Sequence, residues 1–106
     1  MPKYLAQGNY VGDGLKGLLK DGGSGRRAAV EKLFKSLGGT VESWYYTFGE
    51  YDFLGIMDVP DNVTLASIAL TVRSSGLVTV KTTVLMTPEE MDEAVKKSPV
   101  YRAPGQ

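Results

Sequence analysis

Residues 40–59 read TVESWYYTFGEYDFLGIMDV, and the way this stretch turns back on itself decides the fold. Two runs rich in β-branched and aromatic residues, 40–48 and 51–59, flank Gly49-Glu50. Such residues suit the half-buried pleat of a strand. A two-residue connection with glycine in its first central position meets the demand of a type II′ turn, so the spacing predicts a β-hairpin. In that register Phe48 faces Tyr51, Thr47 faces Asp52 and Tyr46 faces Phe53. Trp44 then lies opposite Gly55, where a large ring covers bare backbone. Because strand side chains alternate, Tyr51 and Asp52 point to opposite faces.

Upstream of the hairpin, residues 3–10 alternate, with Tyr4, Ala6 and Tyr10 on one side and Leu5, Gln7 and Asn9 on the other. This predicts a first strand. From Gly12 the period changes: Leu15, Leu18 and Leu19 have the spacing of one helical face. Gly22-Gly23-Ser24-Gly25 interrupts it, and Val30, Leu33, Phe34 and Leu37 restore it up to Gly38-Gly39, where a glycine suits a left-handed C-cap. The first helical region therefore comes in two pieces, the second starting near Ser24. The glycine run reads as a flexible linker rather than an anion-binding turn. It follows a helix instead of a strand and lacks the lysine–hydroxyl pair of a phosphate loop.

Downstream, Pro60-Asp61-Asn62 stops the third strand and offers Asp61 as a helix N-cap. Val63, Ala66, Ala69, Leu70 and Val72 form the expected buried stripe of a second helix, closed by Gly76. Residues 77–86 give a fourth strand. Thr87-Pro88-Glu89-Glu90 is a capping box with proline at the first helical position, opening a short helix to about Lys97. After Pro99 the tail is expected to be extended.

The order is β-α-β-β-α-β with a terminal helix. This is an α+β, ferredoxin-like plan with a four-stranded antiparallel sheet ordered 4-1-3-2 and its helices on one face. Both faces of the sheet nevertheless carry apolar residues. Trp44, Tyr46, Phe48, Phe53 and Met57 share one register; Tyr45, Leu54 and Ile56 share the other. Leaving the helix-free face in water exposes more apolar surface than a monomer usually tolerates. Pairing of that face with a second copy is the economical solution, and a homodimer is expected.

The 106 residues and 11.5 kDa allow one domain, spanning 1–106. Twelve Lys+Arg balance twelve Asp+Glu, so the basic footprint that nucleic acid requires is missing. No apolar run approaches the roughly 20 residues needed to span a bilayer. Met1-Pro2-Lys3-Tyr4 has no signal-peptide character, so a cytoplasmic protein is expected. There is no His and no Cys. Thiolate nucleophiles, disulfides, a Ser–His–Asp triad and His- or Cys-ligated metals are thereby excluded. No metal or other cofactor is expected.

Phe48-Gly49-Glu50-Tyr51-Asp52 resembles the signature of the GYD family of small bacterial proteins, named for its Gly, Tyr and Asp. Further landmarks match in order: Gly38-Gly39 after the first helix, Pro60-Asp61 after the third strand, and Leu85-Met86-Thr87-Pro88-Glu89 near the end. The likeness runs from about Pro2 to Val95. It implies a dimeric α+β barrel, a superfamily that includes cofactor-independent monooxygenases, lactone isomerases and effector-binding domains of regulators. Fold alone does not select among these, and the resemblance carries over no catalytic residue.

Asp52 is the most informative single residue, because aspartate is a poor strand former and costly to bury unpaired. The hairpin geometry puts it near Asn9 or Tyr10, with Thr79 and Lys81 on the neighbouring strand. Two roles are open to it: a structural acceptor for backbone N–H groups or a partner for Lys81, or a ligand anchor and weak catalytic candidate. Tyr46 and Tyr51 either pack with wet hydroxyl ends or donate to a substrate oxygen. Trp44 is a wall residue or a stacking plate. Arg26-Arg27 sits where the helix dipole disfavours cations, which invites a carboxylate or a bound anion. The candidate ligand-binding set is Arg27, Tyr46, Tyr51, Asp52 and Lys81. Three functions remain open: a small-molecule binder with a regulatory or accessory role, a cofactor-independent enzyme of isomerase or monooxygenase type using Asp52 and tyrosines, and a structural assembly module.

Overall fold

In the first strand, β1 (Lys3–Tyr10), every second residue is buried: Tyr4, Ala6, Gly8 and Tyr10. The intervening Lys3, Leu5, Gln7 and Asn9 are only half-buried. That alternation separates a helix-covered face from an open one. The computed structural model describes residues 1–106, continuing with α1 (Gly14–Lys35), β2 (Thr40–Tyr46), β3 (Phe53–Asp58), α2 (Asn62–Ser74), β4 (Val78–Leu85) and α3 (Pro88–Val95). The antiparallel sheet is ordered β2-β3-β1-β4, the expected ferredoxin-like arrangement. No helix is long and apolar enough to cross a membrane.

The hairpin register holds: Tyr46 pairs with Phe53, Tyr45 with Leu54 and Trp44 with Gly55. The turn does not. Gly49 is not among the glycines with positive φ, so the type II′ turn is absent. The strands end at Tyr46 and Phe53, and residues 47–52 form the connection. Within it the Thr47 N–H donates to the Asp52 carbonyl at 2.8 Å, and the Thr47 hydroxyl donates to the Tyr51 carbonyl. These bonds hold the loop base while Phe48, expected on the sheet face, swings fully into solvent. A β-bulge between Val41 and Ser43 sets Glu42 apart, and its carboxylate meets Lys3 Nζ at 3.3 Å. Lys3 also reaches Asp58 at 3.0 Å.

The first helical region breaks in two as expected, but Gly22-Gly23-Ser24-Gly25 is not a linker. Only Gly22 leaves helical geometry, at φ 73° and ψ 169°, a conformation that costs glycine little. In α2 the inward stripe is buried Ile68 with half-buried Leu65, Ala69 and Val72, spaced i, i+3, i+4, i+7. Of the expected stripe, Ala69 and Val72 face inward, whereas Val63, Ala66 and Leu70 are out of phase and exposed. A segment so rich in small apolar residues supports more than one face, and packing against β4 selects the one containing Ile68. Asp61 caps α2 by accepting from the Thr64 N–H at 2.8 Å, and Gly38 and Gly76 take positive φ after their helices. The Thr87–Glu90 capping box forms, though α3 ends at Val95 rather than near Lys97.

The core comprises Tyr4, Ala6, Phe34, Met57, Val59 and Ile68. By contrast α3 buries no residue, and Met91, Val95, Val100 and Tyr101 are exposed. The chain as a whole has a radius of gyration of 17.0 Å and a long dimension of 57 Å, against a radius of about 13 Å for a compact chain of this size.

A Cβ on Gly8 would lie 2.0 Å from the Thr79 carbonyl oxygen and 2.5 Å from the Phe53 ring. Gly8→Ala should therefore cost about 3 kcal/mol in chemical denaturation. Gly17→Ala, with open space around the new methyl, should instead gain about 0.5–1 kcal/mol from helix propensity. The cap bond holds the Asp61 carboxyl below its ordinary value of 3.8. The stability it adds is complete above that value and lost as pH falls through the lowered one. Wild type should melt above Asp61→Ala at neutral pH, with the gap closing in strong acid.

Candidate ligand site

The two long helices diverge over the sheet: α1 leans on β2 and α2 on β4, with little contact between them. A cleft of about 90 Å³ opens above the central strands. Its floor is Ala6 on β1 with Phe53 and Met57 on β3. Val30, Leu33 and Phe34 form the α1 wall, and Leu65, Ile68, Ala69 and Val72 the α2 wall. The small side chain of Ala6 keeps the middle of the floor shallow, with the Phe53 ring lying over Gly8 beside it.

Arg26 and Tyr10 are the only lining residues that combine a long or aromatic side chain with a polar end. Arg26 is the one charged group lining the cleft, and its side chain is 31% exposed. Its nearest acid is Asp21, at a loose 3.8 Å. Tyr10 packs its ring against Phe53, with centroids 5.4 Å apart. Burial, reinforced by the neighbouring Tyr46 and opposed by the Arg26 guanidinium, pushes the Tyr10 hydroxyl up to about 12. Tyr10 thus stays protonated across the physiological range.

Tyr46 frames the same corner. Its hydroxyl donates to the Gly23 carbonyl at 2.8 Å, and a Cβ on Gly23 would lie 3.1 Å from the Tyr46 ring. The glycine break in α1 therefore gives the Tyr46 ring its seat. Trp44 stacks on Phe53 at 4.8 Å and meets Tyr46 edge-on at 6.1 Å, while covering Gly55 as the hairpin register predicts. Its indole N–H is buried without a hydrogen-bond partner.

The other sequence candidates are distributed differently. Arg27 lies beside Tyr46 in a shallow groove on the outer side of Trp44, and its guanidinium faces Glu31 at 3.6 Å. Asp52 Oδ2 accepts from the Tyr10 N–H at 2.9 Å, while the Asp52 N–H donates to the Gly8 carbonyl at 2.8 Å. This clasp extends the β1–β3 pairing past Gly8 and fixes the backbone that carries Tyr10. Tyr51 is half-buried in the loop and lines no part of the cleft. Lys81 pairs with Gln7 on the open face, on the opposite side of the sheet from Tyr46. No group of three or more acids is placed to hold a metal ion.

The candidate set omits Arg26, noted only as half of the Arg26-Arg27 pair that invites an anion, and Tyr10, noted only as a strand residue near Asp52, although both carry a signal. Arg26 stands four and seven residues before Val30 and Leu33, so it falls on the inward stripe, whereas Arg27 pairs outward with Glu31. Tyr10 shares the alternation of Tyr4 and Ala6.

The sheet order, the two helices on one face and the β-α-β-β-α-β-α succession define an α+β domain of ferredoxin-like type. The family model of the GYD domain matches residues 4–95, and the chain belongs to that family. It has no significant match among curated proteins or solved structures.

Removing the Asp52 clasp leaves the Tyr10 N–H without its acceptor. Asp52→Ala should cost about 1–3 kcal/mol in equilibrium unfolding. Asp52→Asn, which keeps an acceptor oxygen, should lose less. Equal stability of wild type and Asp52→Ala would remove the structural role.

Proposed function

We propose that the protein binds a small, mainly apolar organic molecule in the cleft between its sheet and its two long helices, as a homodimer with a regulatory or accessory role. The carrying observation is the cleft itself: apolar walls from both helices, a shallow floor and one polar corner. Small-molecule sites are commonly concave, mostly apolar, and marked by a few placed polar groups. The dimer reading is supported by Leu5, Leu54, Ile56 and Leu85 on the open face of the sheet and by the apolar arm beyond β4. Both are surfaces a second copy would cover.

The enzyme reading is less well supported. The Asp52 carboxylate already accepts from the Tyr10 backbone and does not line the cleft. A general base needs to reach the proton it takes.

The test uses benzyl alcohol as an uncharged probe and Trp44, the single tryptophan, as reporter through its stack on Phe53. Saturable change in Trp44 emission is expected for wild type. It should be lost in Ala69→Leu, which fills the cleft, with the melting temperature retained. An unsaturable response, or an equal one in the variant, would sink the pocket reading. Light scattering at micromolar concentration should give a dimer; a mass of 11.5 kDa would sink the barrel.

A further inference from the structure

We propose that the cleft takes a small carboxylate, an aromatic or short-chain acid whose carboxylate meets Arg26 and the Tyr10 hydroxyl while its apolar body lies between α1 and α2. This rests on the cleft being a ligand site and adds the class of ligand. The argument starts from the chemistry of the polar corner. The cleft is otherwise lined almost wholly by hydrocarbon and aromatic surface, which would be indifferent to the head group of a ligand. Arg26 breaks that indifference. It is a permanent cation presenting several N–H donors in a planar fork, the geometry that matches a carboxylate.

The surroundings of Arg26 leave that fork available. Asp21 lies at 3.8 Å, beyond a good hydrogen bond, and is itself substantially exposed, so it screens the guanidinium weakly. Glu31 faces Arg27 instead, and Asp58 and Glu42 face Lys3 at the other end of β1. Asp52 is engaged by the Tyr10 N–H. Tyr10 stays protonated and adds a hydroxyl donor beside the guanidinium. The corner thus concentrates donors next to apolar walls, and an anion with a hydrocarbon body satisfies both at once. The cleft has room for one small ring or a short chain, not for a long lipid.

Arg26 and Arg27 supply the control, since each substitution removes one positive charge from adjacent positions. Backbone amide shifts of the full-length protein are titrated with benzoate and with benzyl alcohol, and with hexanoate and hexan-1-ol as the chain pair. Wild type should bind each acid about tenfold more tightly than its alcohol, the size of one charged hydrogen-bonded contact. Arg26→Gln should erase that preference, Arg26→Lys should keep part of it, and Arg27→Gln should keep it whole. Added salt should weaken the acids only. Acid and alcohol binding equally to wild type, or a preference surviving in Arg26→Gln, would overturn the carboxylate assignment while leaving the pocket standing. If neither acid nor alcohol binds, the pocket reading fails and this one with it.

Discussion

The rest of the structure depends on how closely neighbouring backbones and rings press on the middle of β1. At Gly8 the Thr79 carbonyl and the Phe53 ring occupy the space of a side chain, so this position admits only glycine. The consequence spreads in two directions. Across the sheet, β4 and β3 both register against β1 without a bulge, which leaves every β1 side chain assigned to one face. Above the sheet, the Phe53 ring lies over Gly8, and Ala6 leaves a low floor beneath α1 and α2. Two helices leaning outward on β2 and β4 cannot close over so shallow a centre, and the cleft is what remains.

The family signature fits into the same frame. Its aspartate, Asp52, lies at the end of the β1–β3 pairing and holds the Tyr10 N–H. Strand pairing would otherwise stop at Gly8–Phe53, leaving the end of β1 tied on one side only. The clasp keeps Tyr10 over Phe53, and Phe53 in turn carries Trp44 on its other neighbour strand. Gly49 and Tyr51 serve the loop that delivers Asp52, in which Thr47 bonds the Tyr51 and Asp52 carbonyls. The signature therefore acts on the cleft through backbone geometry, without placing its own carboxylate inside.

What could be read beforehand divides along physical lines. Strand pairing follows from alternation and local turn chemistry, so the sheet order, the Trp44–Gly55 pair and the approach of Asp52 to Tyr10 were all legible. Caps were equally legible at Asp61 and at Thr87–Glu90, because their bonds involve residues three apart. The turn at residues 47–52 was not. One backbone and one side-chain bond from Thr47 hold the loop in place of the turn that Gly49 suggested. The phase of α2 also escaped, since only packing against β4 selects Ile68 over Val63 and Leu70. At the site, the adjacent arginines read as one anomalous pair, and only the stripe of Val30 and Leu33 separates the inward Arg26 from Arg27, which faces Glu31.

The absence of His and Cys gains force from this arrangement. Proton transfer near neutral pH requires a group poised to titrate there, and the cleft offers an arginine and a tyrosine pushed up to about 12. Neither gives up its proton readily at that pH. Both are well suited to donate hydrogen bonds to a ligand without exchanging a proton with it. Such a corner holds its charge fixed across the physiological range. The Asp52 carboxylate, the remaining candidate base, is drawn outside by the Tyr10 backbone. The cleft's polar corner is thus built from groups that keep their protons, while the carboxylate of the signature holds the end of β1 instead of lining the cleft.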